Sequence, residues 1–157
     1  MTSSQRRSEP WNDERVTTFA LLVEAHDLIG KLLDQTYEKV DLSSTRFELL
    51  LCLARSPGQR RRLSDLASQL VVTTGGVTRL VDRCERDGLV KRMGDCVDGR
   101  VTYAVLTARG MQSLRRALPL HLDDIDTLVI EPLGDRAECF AESLRLLRDH
   151  AAEALKG

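Results

Sequence analysis

Thr74, Gly75, Gly76, Thr78, Arg79 and Arg83 form a short run of hydroxyls, bare backbone and guanidiniums. These are groups that donate hydrogen bonds to phosphate oxygens and to base edges in a nucleic-acid groove. Arg79 is the first candidate for a base contact, because its fork can take both acceptors of a guanine; a phosphate contact or a solvated arginine is the alternative. Each glycine costs a helix about 1 kcal/mol against alanine. The Gly75-Gly76 pair therefore points to close approach of a ligand backbone, or else to a loose first turn. A second cluster follows. Lys91 and Arg92 are placed for phosphates, and Asp98-Gly99-Arg100 reads as a hairpin tip. An arginine there can enter a narrow minor groove, with Asp98 aiming its guanidinium through a two-oxygen ion pair.

Catalysis is a poorer fit. His26, His121 and His150 are far apart, and no nucleophile, base and orienting group are grouped in the sequence. No phosphate-cradling glycine loop and no HExxH appear. Cys52, Cys84, Cys96 and Cys139 are scattered without metal-ligand spacing, so neither a zinc site nor a disulfide framework is expected, and no cofactor or metal is called for. Cys84 reads as a small core residue. Cys96 falls in the hairpin, where oxidation could modulate binding.

The elements that must hold these residues follow from periodicity. After a polar, mobile tail (1–11), Val16, Phe19, Leu22, His26, Ile29, Leu33 and Tyr37 recur at helical steps, with Asn12 or Asp13 as the cap. Leu42 to Thr45 restarts the chain into a buried helix carrying Phe47, Leu50, Leu51 and Leu53, ended by Ser56-Pro57-Gly58. Gln59 to Arg62 reads as a basic loop. Ser64 caps a third helix (Leu66, Ala67, Leu70) and joins the DNA-facing set. Thr73 does the same for a fourth (Val77, Leu80, Val81, Cys84), which Gly88 ends. Residues 89–93 and 101–106 are strand patterns joined by turn formers. Two further amphipathic helices close the chain, the first broken or bent at Pro119 and the second opened by Pro132.

This order predicts a mainly α fold with a small β-wing: a winged helix-turn-helix lobe (42–107) between N- and C-terminal dimerisation helices (12–40 and 108–157), all one domain over 12–157. A central lobe of this size has little face to offer the long terminal stripes, so a second copy is expected to cover them. Charge points the same way. Residues 58–109 hold ten of the 23 Lys/Arg and six of the 24 Asp/Glu, so a basic centre is flanked by acidic arms although the net charge is −1. The apolar runs are too short to span a bilayer, the first ten residues lack an apolar signal core, and a cytoplasmic location without membrane contact is expected.

Residues 42–110 resemble the winged helix-turn-helix of the multiple-antibiotic-resistance-regulator (MarR) family. The resemblance rests on Leu66-Ala67, the run from Val72 to Val81, Asp87-Gly88-Leu89-Val90, Asp98-Gly99-Arg100, and Leu106-Thr107 with Gly110. It implies a homodimer bound to double-stranded DNA at a pseudo-palindromic operator, usually as a repressor. It also implies a small-molecule effector, often an aromatic or phenolic anion, that binds between arms and lobe and weakens DNA binding by changing lobe spacing. Trp11, Phe19, His26 and Arg46 are the aromatic or polar residues near that junction; no ligand set is assigned from them. His26 fits a core or interface histidine better than a ligand contact, and Trp11 an anchor for the first helix. Some family members sense oxidants through a cysteine in the first helix; this chain has no cysteine before Cys52. A protein-binding winged helix and a thiol-based redox regulator are the alternative readings. The aligned cations Arg79, Arg83 and Arg100 disfavour the former.

Overall fold

The computed structural model describes residues 9–70, 74–95 and 101–155; for Thr74 it describes the backbone. A 3₁₀ turn (Pro10–Asn12) leads into α1 (Glu14–Glu38), then α2 (Ser44–Ala54), β1 (Arg60–Arg62), α3 (Leu63–Gln69), α4 (Thr74–Arg86), β2 (Val90–Gly94), β3 (Thr102–Leu106) and α5 (Ala108–Ile125). A π-helical segment (Asp126–Ile130), one helical turn α6 (Glu131–Leu133), a 3₁₀ turn (Gly134–Arg136) and α7 (Ala137–Ala154) complete it. The sheet is antiparallel, in the order β1-β3-β2.

Local chemistry explains most boundaries. Asp13 caps α1, accepting from the Arg15 backbone N–H at 2.9 Å and from its guanidinium at 2.7 Å. Gly88 takes φ +70°, the left-handed turn that stops α4 and delivers the chain to β2. Thr107 caps α5, accepting from Gly110 N at 3.0 Å. Its hydroxyl donates toward the Gly88 and Leu89 carbonyls at 2.7 and 2.9 Å, tying the α4–β2 turn to the start of α5.

Four sequence expectations need correction. Arg60–Arg62 is a strand, not a loop, because β3 offers an open edge to it: Arg60 pairs with Val105 and Arg62 with Tyr103. The cap of α3 is Arg62, and Ser64 lies inside the first turn with its hydroxyl donating to Asp65 at 3.0 Å. Pro119 breaks nothing; α5 runs through it. The break comes at Gly134 (φ +52°), so Pro132 sits in the one-turn helix α6 before it and does not open α7.

Every fully buried residue among those described lies between Thr36 and Ala117. Phe47, Leu49, Leu50 and Leu53 of α2, Leu66 of α3, and Val77, Leu80, Val81 and Cys84 of α4 meet Val90, Ala104 and Leu106 of the sheet. Leu114 and Ala117 of α5 and Tyr37 of α1 close that core. The large exposed apolar residues lie outside it, from Trp11 to Leu32 and from Leu120 to Leu155. Trp11 is 70% exposed instead of packed as an anchor, and His26 is a surface residue bonded to Asp27 at 3.1 Å, not a core one. No described helix is long and apolar enough to cross a membrane.

Tyr37, Phe47 and His121 stack where α1, α2 and α5 meet, with ring centroids 4.6–5.8 Å apart and the Tyr37 hydroxyl 2.7 Å from His121 Nδ1. Burial holds the His121 imidazole below its ordinary pKa; Asp124 pulls the other way and Arg55 adds to the lowering. The folded state therefore takes up its proton later than the unfolded chain, and stability should fall as pH drops below about 6.5. Urea midpoints at pH 7.5 and 5.5 check this: His121→Phe is expected to lose less on acidification than the parent, and equal losses would contradict it.

Candidate nucleic-acid interface

The recognition element is α4. Its helical repeat turns Val77, Leu80, Val81 and Cys84 into the core and leaves Thr78, Arg79 and Arg83 exposed on the opposite side. Arg79 and Arg83 are one turn apart, and no ion pair is formed by either among the described residues. A side chain added at Gly75 would meet nothing within 4 Å, so internal packing does not demand glycine there; what glycine leaves is open space beside exposed backbone. Gly76 is half-buried. Cys84 is fully buried and its thiol is pushed up by burial, which fits the core role read from sequence and disfavours a thiolate there.

Lys91 and Arg92 do not act alike. Successive residues of a strand face opposite sides. Lys91 stands on the outer, exposed face, whereas Arg92 is on the inner face with Ala104, against α4. There Arg92 Nη1 sits 2.7 Å from both Asp82 Oδ1 and Glu85 Oε2, its backbone N–H donates to Glu85 Oε1 at 2.8 Å, and Nη2 reaches the Thr78 carbonyl at 3.4 Å. These bonds hold the Glu85 carboxyl below its usual range. The guanidinium expected to meet phosphate is thus committed to the protein. Its consequence is electrostatic: Arg92 engages both carboxylates on the middle of α4 and offsets one of their two charges, reducing their pull on Arg79 and Arg83.

Ser64 is near the surface, inside the first turn of α3. Thr73, Asp98 and Arg100, the Thr74 side chain and Cys96 lie outside the described residues. The sequence did not single out β1 as part of the surface. Arg60 and Arg62 share the outer sheet face with Tyr103; their guanidinium carbons lie 4.9 and 5.9 Å from its ring centre, and Arg62 Nε donates to its hydroxyl at 3.3 Å. The available signal was a run of three arginines directly before α3; without knowing that β3 had an open edge, a loop was the natural reading.

The chain's resemblance to known proteins is consistent with this geometry. The sequence model of the MarR family matches residues 42–102, the span from the start of α2 into β3. The HTH-type transcriptional regulator MhqR of Bacillus subtilis is 26% identical over 133 residues, covering 85% of this chain and 90% of that protein. The HTH-type transcriptional repressor YetL of the same organism is 25% identical over 126 residues, covering 80% and 75%. Among solved structures, a MarR family transcriptional regulator from Streptomyces coelicolor in complex with DNA superimposes with a TM-score of 0.81 at 28% identity, covering 87% of each chain. These relatives are named as transcriptional regulators. With the lobe, the sheet order and the exposed cations of α4 in place, residues 42–102 match the MarR family, and over most of its length the chain resembles HTH-type transcriptional regulators, among them a MarR family regulator solved with DNA.

Proposed function

We propose that this protein is a homodimeric repressor that places one α4 in the major groove of each half of a pseudo-palindromic operator. The observation that carries the reading is the exposed Arg79–Arg83 pair, without an ion pair among the described residues, beside the open backbone at Gly75. Arg79 reads a base, Arg83 and Lys91 meet phosphates, Thr73, Thr74, Gly76, Thr78 and Ser64 line the backbone of the groove, and Asp98 aims Arg100 into the minor groove. Arg92 belongs to this set as the residue that positions the wing against α4. Support for repression comes from the likeness to YetL, a named repressor, and support for DNA as the partner from the likeness to the Streptomyces regulator crystallised with it. Release by a small aromatic ligand between arms and lobe completes the proposal; its test is loss of operator binding on adding phenolic acids.

Arg79 and Arg83 separate by their salt behaviour. Arg79→Ala should cost about 1–3 kcal/mol of operator affinity and relax discrimination at one base position. Arg83→Ala should weaken all duplexes alike and reduce the salt slope by about 1. Fluorescence anisotropy on matched and mutated duplexes checks both, and unchanged affinity in Arg79→Ala would remove α4 from the base-reading role.

A further inference from the structure

A polar cleft of about 490 Å³ lies on the flank of the lobe, between the start of α2, the α4–β2 turn and α5. We propose that it binds a compact oxyanion carrying two or more charges, of the phosphorylated or dicarboxylate class. Arg109 and Arg116 are seven residues apart on α5, two turns and about 10 Å along one face. Gln112 and Ser113 lie between them on that face and also line the cleft. Arg46 enters from the opposite wall on α2, held by Asp87 with Nη2 2.6 Å from Oδ2. Among the described residues, neither Arg109 nor Arg116 forms an ion pair, although both line the same cleft. Two carboxylates share the space: Asp87 is spent on Arg46, and Asp41 is exposed to water. Two uncommitted planar guanidiniums with amide and hydroxyl groups between them match the paired oxygens of phosphate or carboxylate. The only apolar walls are Leu42 and Leu89, too little to seat an aromatic ring, so this site differs in chemistry from that of the proposed aromatic effector.

The cleft adjoins the end of the recognition helix. Asp87 directly follows α4, and a side chain built on Gly88, whose left-handed turn redirects the chain into β2, would begin 3.6 Å from the Arg109 stem. An anion held by Arg109 and Arg116 therefore sits beside the turn on which α4 ends. Any effect of the anion on DNA binding through α4 rests on the function proposed above; anion binding itself does not.

The test is thermal unfolding and calorimetric titration of the full chain with sodium pyrophosphate or sodium succinate, against sodium chloride of equal ionic strength. At least one probe should raise the parent's midpoint by roughly 3 °C. Arg116→Gln, an exposed position whose replacement leaves the core intact, should abolish most of that rise and weaken the titrated affinity at least tenfold, as should Arg109→Gln. A response to pyrophosphate alone assigns the phosphorylated class, and to succinate alone the dicarboxylate class. Equal shifts in parent and variants, or none with either probe, overturn the proposal. So does a loss of DNA affinity by Arg116→Gln in anion-free buffer, which would make the cleft a DNA-backbone contact. Because the anion readout needs no DNA, it stands or falls apart from the regulator reading.

Discussion

Replacing Gly110 by alanine lowers unfolding stability by about 3 kcal/mol or more, or roughly 6–12 °C in melting midpoint. A methyl group there would stand 2.1 Å from the Leu89 carbonyl oxygen and 2.8 Å from Leu106 Cδ1. Neither neighbour can yield cheaply. Leu89 belongs to the turn that Thr107 clamps, accepting from the Thr107 backbone N–H at 3.2 Å, and Leu106 is the buried end of β3. The first turn of α5 can sit this close to β2 only where no Cβ intervenes. Gly75→Ala supplies the contrast: with nothing within 4 Å, it should be neutral or stabilising by up to about 1 kcal/mol while weakening DNA binding. Differential scanning calorimetry decides the first, and a Gly110→Ala midpoint within 2 °C of the parent would show that the contact relaxes.

The second large effect belongs to the arms. Leu144→Glu should convert the protein from dimer to monomer and reduce operator affinity by about 100-fold, through loss of the tethered second half-site. An apolar groove of about 740 Å³ runs between α1 and α7, lined by Phe19, Leu22, Phe140, Leu144 and Leu147. Leu144 is 39% exposed and Phe19 68% in the single chain. No residue of α7 is buried, so the core between Thr36 and Ala117 does not depend on it, and the variant should remain a folded monomer with a cooperative transition. Such an apolar surface is what a symmetric partner covers. Sedimentation velocity gives the answer: an unaltered dimer would place the interface elsewhere.

The lobe was legible because its signals are local. Leu66, Val77, Leu80, Val81 and Cys84 sit at helical spacing and all five are buried; Gly88 ends α4 with the positive φ that its residue type favours. What escaped was set by partners distant in sequence. Arg60–Arg62 became a strand through the open edge of β3, which no local pattern announces. Pro119 removes one donor from α5 without interrupting it, while Gly134, in a left-handed conformation, makes the break that Pro132 had been given. The site followed the same division. Exposure of Arg79 and Arg83 came straight from periodicity. The opposite fates of Lys91 and Arg92 were implicit in the strand reading, since adjacent strand residues face opposite ways, but Arg92's partners Asp82 and Glu85 emerge only when β2 packs on α4. Arg46 looked like a junction residue; that Asp87 holds it, and that Arg109 and Arg116 face it, is visible only in three dimensions.

Sequence-specific recognition of DNA by α4 and the wing is decided by fluorescence anisotropy with duplexes tiling the region upstream of the protein's own gene, at two salt concentrations. Tight binding to one duplex over the rest is expected, weakening with salt on a log–log slope that reflects several phosphates. Absence of binding to any duplex even at low salt would contradict it and favour a protein-binding winged helix.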